Sequence, residues 1–469
     1  MIKRVGLPAL LSLALAGCSM EEQPVFEPGE ERPGGDTSVT IAGRNSFSMP
    51  AGNMKVTRRL DFNVGNSFFR NPWVASPSST TARDGLGPLF NTNSCQNCHI
   101  KDGRGHAPKN NDLNKVSLLM RISIPATADT DPEILIKDGS VPHPVYGGQI
   151  QDFALPGSVP EGRVQVRYEY SQVTLKGGET VELRKPFFSI TDPGYGPLPD
   201  DLMMSARVAS PMIGLGLLEA LTDSSLLTYE DPEDRDGDGI SGRANRVWDH
   251  EQGRTVMGRF GWKAGQPNLK QQNAAAFNGD MGITSSLFAE ENCSESQKSC
   301  RDLLTGEKVE ISDKILKKVT FYTRNLAVPV RSEARNKTVL KGKKLFSDIG
   351  CAGCHIPSYK TPRLRDQPEQ SDQLIWPYTD LLLHDMGEEL ADHRPEFLAS
   401  GVEWRTPPLW GIGKTHEVSI EATFLHDGRA RTIQEAILWH GGEAQASRDR
   451  FVSMEKTQRA ALLKFIGSL

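Results

Sequence analysis

The sequence predicts a mainly α-helical chain of two similarly built domains, with an antiparallel β insertion in the first. Three observations predict it. The pattern Cys-x-x-Cys-His occurs twice, at Cys95-Gln96-Asn97-Cys98-His99 and at Cys351-Ala352-Gly353-Cys354-His355. Helix-like stretches run through 339–346, leading into the second copy, and through 457–469, where Ala460, Leu463, Phe465 and Ile466 recur at helical spacing. Between the copies, 116–124 and 164–170 alternate as strands do, and Lys176-Gly177-Gly178-Glu179 supplies a turn before another strand from Val181.

The chain has 469 residues, room for two or three domains, and 37% hydrophobic residues, enough for a sizeable core. With 54 basic and 59 acidic residues the net charge is only −5, which gives no basic face for nucleic acid. The 44 glycines and 30 prolines point to many loops.

At the start, Lys3 and Arg4 precede an apolar run from Val5 to Ala16. The run is shorter than a membrane-spanning helix and reads as a signal peptide over residues 1–17. Its end, Leu15-Ala16-Gly17-Cys18, resembles a bacterial lipobox, in which cleavage leaves a lipidated cysteine. Ser19 stands where an inner-membrane retention signal carries Asp, so the expected location is the outer membrane, facing the periplasm, anchored through Cys18. Residues 18–50, rich in Glu, Pro and Gly, are expected to be a flexible tether.

The paired motifs carry the chemistry. Two thiols three residues apart can form thioethers to the two vinyl groups of one porphyrin, and the next residue, His, meets the iron. Cys95, Cys98 and His99 are expected to hold one c-type haem, and Cys351, Cys354 and His355 a second. The second motif follows a helix like that opening a cytochrome c. The expected architecture is therefore two cytochrome c-like haem domains, at 51–330 and 331–469, with the β insertion at about 112–190. Cys293 and Cys300 remain, and in an oxidising periplasm they are expected to close a disulfide.

The chain resembles the di-haem oxidoreductases of peroxidase type, also labelled thiol oxidoreductases, which are related to bacterial di-haem cytochrome c peroxidases. The resemblance rests on Asp84-Gly85-Leu86-Gly87-Pro88-Leu89-Phe90-Asn91, Lys101-Asp102-Gly103-Arg104-Gly105, Arg259-Phe260-Gly261-Trp262-Lys263-Ala264, Phe277-Asn278-Gly279-Asp280-Met281-Gly282 and Phe424-Leu425-His426-Asp427-Gly428-Arg429-Ala430. It implies that the first haem does the chemistry, with Trp262, Gln272 and Asp280 as catalytic residues. Here Asp280 replaces a Glu, and its spacing from Gln272 is shorter than in the peroxidases. The resemblance also places His440 at the position of the second haem's distal ligand, usually Met, with His426 orienting the haem edge; Met386 and His384 are alternative ligands. For the first haem, His106 and His143 are candidate sixth ligands.

Asp234-Arg235-Asp236-Gly237-Asp238-Gly239-Ile240, continuing to Asn245, resembles a calcium loop. Its expected ligands are Asp234, Asp236, Asp238, Ile240 and Asn245, with Asn where a bidentate Glu usually stands. The function expected is an oxidoreductase that passes electrons from an external donor, a small cytochrome or copper protein, through the second haem to a small oxidant such as hydrogen peroxide at the first. The alternatives are a non-catalytic di-haem electron carrier and a redox partner in iron acquisition.

Overall fold

The computed structural model describes residues 25–108, 117–304 and 309–469. The signal peptide and Cys18 lie outside the described residues.

Helix accounts for 29% of the described residues and strand for 18%, so the expectation of a mainly α chain of two cytochrome c-like domains is overturned. The strands form six two-stranded antiparallel ribbons among the described residues. Most are too short, or too far from their partners in sequence, to leave an alternating signal. Leu89–Phe90 pairs with Phe153–Ala154, and Leu118–Ser123 pairs with Met203–Val208.

Two helix pairs bracket the two Cys-x-x-Cys-His motifs. Val56–Arg70 packs on Asp313–Arg324 so closely that a Cβ on Gly65 would meet the Lys318 carbonyl oxygen at 2.1 Å. Phe62 and Phe69 set their rings 4.8 and 5.2 Å from Tyr322. The helix Leu269–Met281 joins this core through Ala274, Phe277 and Met281. Asn268 caps its start by accepting from Gln271 N, and Gly282 ends it in the left-handed region at φ 65°. In the second pair, Lys337–Asp348 packs on Lys456–Ile466, where a Cβ on Gly342 would meet the Ala461 carbonyl oxygen at 2.0 Å. Glu455 and Gln458 close a capping box at the start of the latter helix.

The long ribbon Arg163–Thr174 with Thr180–Thr191 turns at Gly177 and Gly178, both at positive φ. Its tip does not stay with the first half of the chain. Leu175 and Leu183 share a core with Phe346, Trp439 and Phe465, and Lys176 N donates to Val452 O. A second core joins Ile213 and Leu217 to Tyr359, Leu382 and Trp410. Apolar burial thus ties together residues on both sides of position 330.

Residues 25–50, expected as part of a tether, are packed. Glu30 is fully buried and pairs with Arg331 at 3.1 Å and Lys343 at 2.8 Å, and Phe47 joins the core of Ile213 and Trp410. Among the described residues no helix is long and apolar enough to cross a membrane.

Candidate active site

The short helix Cys95–Cys98 hangs from the end of Val56–Arg70, because Ser94 Oγ donates to Arg70 O at 2.8 Å. His99 follows, its Nδ1 2.7 Å from the Ser210 carbonyl oxygen. Nδ1 therefore carries the hydrogen and Nε2 the lone pair. Burial lowers the pKa of His99 to about 4, which keeps the ring neutral near pH 7. The second motif repeats this with other partners. His355 Nδ1 lies 2.9 Å from Tyr378 O, and burial again lowers the pKa to about 4. A neutral imidazole held through Nδ1–H is how proteins present histidine to a metal. Cys95, Cys98, Cys351 and Cys354 are not in disulfides. Both donor sets fit a covalently held haem.

A cavity of about 780 Å³ opens against the first motif, within the range of sites that hold cofactors and ligands. Cys95, Cys98, His99, Trp262, Gln272 and Asp280 all line it. The chain thus brings the three expected catalytic residues to the first Cys-x-x-Cys-His motif. Asp280 stands at the end of Leu269–Met281, and its carbonyl accepts from Asn91 N at 2.8 Å and Thr92 N at 3.1 Å. The end of that helix is thereby tied to the segment entering the motif. Burial raises the Asp280 pKa, opposed by the Arg121 charge and by a hydrogen bond from Gln149. Burial, and then the Asp280 charge, push the Cys95 thiol up to about 12.

Sequence reasoning missed Gln149. Its Nε2 lies 3.0 Å from Asp280 Oδ1, 2.6 Å from Asn91 Oδ1 and 3.1 Å from Gly279 O. It is 4% exposed, and its Oε1 has no partner. It sits in irregular backbone far from Asp280 in sequence and carries no motif signal. His143 also lines the cavity, with Nδ1 accepting from Val145 N at 3.0 Å and Tyr146 N at 3.2 Å. That places its hydrogen on Nε2 and takes away the free lone pair a ligand needs. His106 is buried with Nδ1 3.2 Å from Ala107 O.

Trp262 is fixed by Nε1 donating to Val208 O at 2.8 Å. Its ring lies in the same apolar core as Phe346, Trp404 and Trp439, so the cavity wall is continuous with the packing around the second motif. His426, expected beside the second haem, stacks on Trp404 at 3.6 Å and stands edge-on to Trp262 at 6.5 Å. Burial lowers its pKa to about 4, against the pull of Asp427.

His440 follows the helix Ile433–Leu438, and its Nδ1 lies 2.7 Å from Ala436 O. Its Nε2 is left as the lone-pair nitrogen. His384 differs: its nitrogens lie 2.8 Å from Asp380 Oδ2 and 2.7 Å from Glu443 Oε2. Burial disfavours its charge, but the Asp380 hydrogen bond and charge prevail and hold it protonated. With both nitrogens engaged, His384 is not available as a ligand.

The acidic loop gathers Asp234, Asp236 and Asp238, whose carboxylate oxygens lie within 4.8 Å of one another. Ile240 N donates to Asp238 Oδ1 at 2.8 Å, and the Ile240 side chain covers Gly353, where a Cβ would meet its Cδ1 at 2.4 Å. The loop therefore packs on the second motif. Asn245 does not join it. It is fully buried, its Nδ2 donates to Lys263 O at 2.7 Å and Glu396 O at 3.1 Å, and its Oδ1 accepts from Leu398 N at 3.0 Å. Asn245 is accordingly withdrawn from the expected ligands: its amide anchors the start of the strand Arg246–Asp249. Cys293 and Cys300 form the expected disulfide.

No curated protein and no solved structure matches the chain. One family does, over residues 29–469, under the description "Di-haem oxidoreductase, putative peroxidase". The match spans both motifs, the cavity and the His440 segment, and the chain therefore belongs to the di-haem oxidoreductase family.

Proposed function

We propose that the protein is a peroxidase-type oxidoreductase that reduces hydrogen peroxide to water with two electrons and two protons from outside. The observation that carries this reading is that Asp280, Gln272 and Trp262 line one cavity with Cys95, Cys98 and His99. The reading places one c-type haem on Cys95, Cys98 and His99 and another on Cys351, Cys354 and His355, where His440 would be a further ligand. Bound there, the haems supply the redox chemistry, the second facing an external donor and the first the oxidant.

The chain's own residues supply protons, orientation and exclusion of water. Burial raises the Asp280 pKa, so this carboxyl holds a proton closer to neutral pH than an exposed Asp. Gln149 fixes Oδ1, which orients the carboxyl to move a proton between the two peroxide oxygens. Trp262 and Phe69 close apolar walls around the site. His440 would help hold the second haem together with His355, and an imidazole ligand there would give a lower potential than a thioether.

In the same reading Cys18 carries lipid at the outer membrane, the rest faces the periplasm, and the donor is a small cytochrome or copper protein. The loop of Asp234, Asp236 and Asp238, with the Ile240 carbonyl, takes calcium. Paired Cys→Ala variants test the assignment. Cys95→Ala with Cys98→Ala removes one covalent haem by mass and abolishes peroxide consumption. Cys351→Ala with Cys354→Ala removes the other and abolishes donor oxidation. Loss of neither haem mass defeats the reading.

A further inference from the structure

Two buried guanidinium groups stand in the cavity wall with no ion-pair partner among the described residues. Arg104 is 6% exposed, and its Nε and Nη1 have no hydrogen-bond partner. Its guanidinium lies over the rings of Trp262 at 5.6 Å and Phe424 at 5.7 Å. Aromatic faces of this kind offset only part of the cost of taking a guanidinium out of water. Arg405, also 6% exposed, donates from Nε to Gly261 O at 2.8 Å and from Nη1 to Thr406 O at 3.1 Å, both neutral carbonyls. Each side chain lines the cavity that contains Cys95, Cys98 and His99.

Burial lowers the pKa of Arg405 to about 10, opposed by the Asp380 charge and aided by that of Arg104, and burial alone lowers that of Arg104 to about 10. Three other arginines of the same cavity are paired with carboxylates. Arg207 and Arg394 pair with Glu396 at 2.7 and 3.3 Å, and Arg259 pairs with Asp223. Among the described residues, Arg104 and Arg405 form no ion pair. A pair of buried guanidiniums with free N–H groups matches carboxylate oxygens in charge and geometry. A haem carries two carboxylates, its propionates.

We propose that Arg104 and Arg405 form a carboxylate-binding end of the cavity that takes the propionates of the haem attached at Cys95 and Cys98. This rests on the covalent haem assigned to the first motif above. Two fixed positive charges beside the propionates offset their negative charge and favour the reduced haem, so the pair holds the haem in place and raises its potential. Arg104 binds between Trp262 and Phe424, which sets the propionate end against the apolar wall shared with the second motif.

The test uses the holoprotein: wild type, Arg104→Gln, Arg405→Gln and Arg104→Lys, with spectroelectrochemical titration resolving the two haems. Each Gln variant is expected to shift the reduction equilibrium of the first haem tenfold or more towards oxidised, about 59 mV for one electron. The second haem should stay unchanged. Arg104→Lys keeps the charge and should retain most of the wild-type potential; with Arg405→Gln it carries the test if Arg104→Gln does not fold. An unmoved first-haem potential in the Gln variants overturns the proposal. Formate supplies the other arm. A saturable formate shift of the wild-type first haem, lost in Arg405→Gln, shows that the arginines take a free carboxylate and also overturns it. Peptide mass keeps the two levels apart: no haem on the Cys95–His99 peptide sinks the first-haem assignment, whereas haem present with unmoved potential sinks only the role of the arginines.

Discussion

Gln149 Nε2 lies 3.0 Å from Oδ1 of Asp280, across 131 positions of sequence. The bond favours the ionised carboxylate and so works against the burial that raises its pKa. Asp280→Asn should lower peroxide consumption about 10²–10⁴-fold, the usual range for a lost acid–base group, with haem content unchanged. Gln149→Leu removes the bond but keeps the carboxyl. The limb of the pH–rate profile governed by Asp280 should then move to higher pH, as stopped-flow rates across pH would show. An unmoved limb would mean that Gln149 only ties down backbone.

Much of the site was legible because its signals are local. Cys-x-x-Cys-His is a contiguous pattern, Asp280 and Gln272 fall on one continuous helix, and Cys293 and Cys300 sit seven residues apart. What was not legible depends on distant partners. Leu118 pairs with Val208, and the two-residue strand Leu89–Phe90 finds Phe153–Ala154, so strand content was underestimated and the chain read as mainly helical. Gln149 and Arg405 acquire their meaning only when loops from separate parts of the chain close on one cavity. Asn245 shows the converse, since its spacing imitates a cation loop while burial commits its amide to Lys263, Glu396 and Leu398.

His440 gives the second prediction. If His440 is the ligand proposed for the second haem, His440→Met should raise that haem's potential, because a thioether favours the ferrous state. Spectroelectrochemistry of the holoprotein checks it. A potential that does not respond would place the distal ligand elsewhere.

Glu161 is fully buried, accepting from Gln151 N at 2.8 Å and Gln297 Nε2 at 2.7 Å. Burial outweighs those bonds and raises its pKa from 4.5 to about 8. Between those values the folded chain keeps a proton that the unfolded chain has released. Its contribution to stability is therefore complete below about pH 4.5 and declines as pH rises through about 8. Glu161→Gln should flatten that decline in denaturant unfolding measured from pH 5 to 9. A wild-type decline that persists in the variant would assign it to other groups.

Calcium is expected to raise the thermal unfolding temperature of the wild type, and Asp236→Asn should weaken that shift. Because Ile240 covers Gly353, calcium should also perturb the optical spectrum of the second haem. Calorimetry with calcium, and spectra before and after chelation, read both effects. No heat and no spectral change would leave the three carboxylates as a solvated turn.

The proposed division of labour, with peroxide at the cavity haem and a closed bis-imidazole haem at the second motif, is open to one experiment. It is the EPR and optical spectrum of the purified holoprotein, oxidised and half-reduced, before and after hydrogen peroxide. The predicted result is one low-spin haem that ignores peroxide and one haem whose high-spin signal peroxide consumes. Two low-spin haems unresponsive to peroxide in both redox states would contradict it and leave an electron carrier.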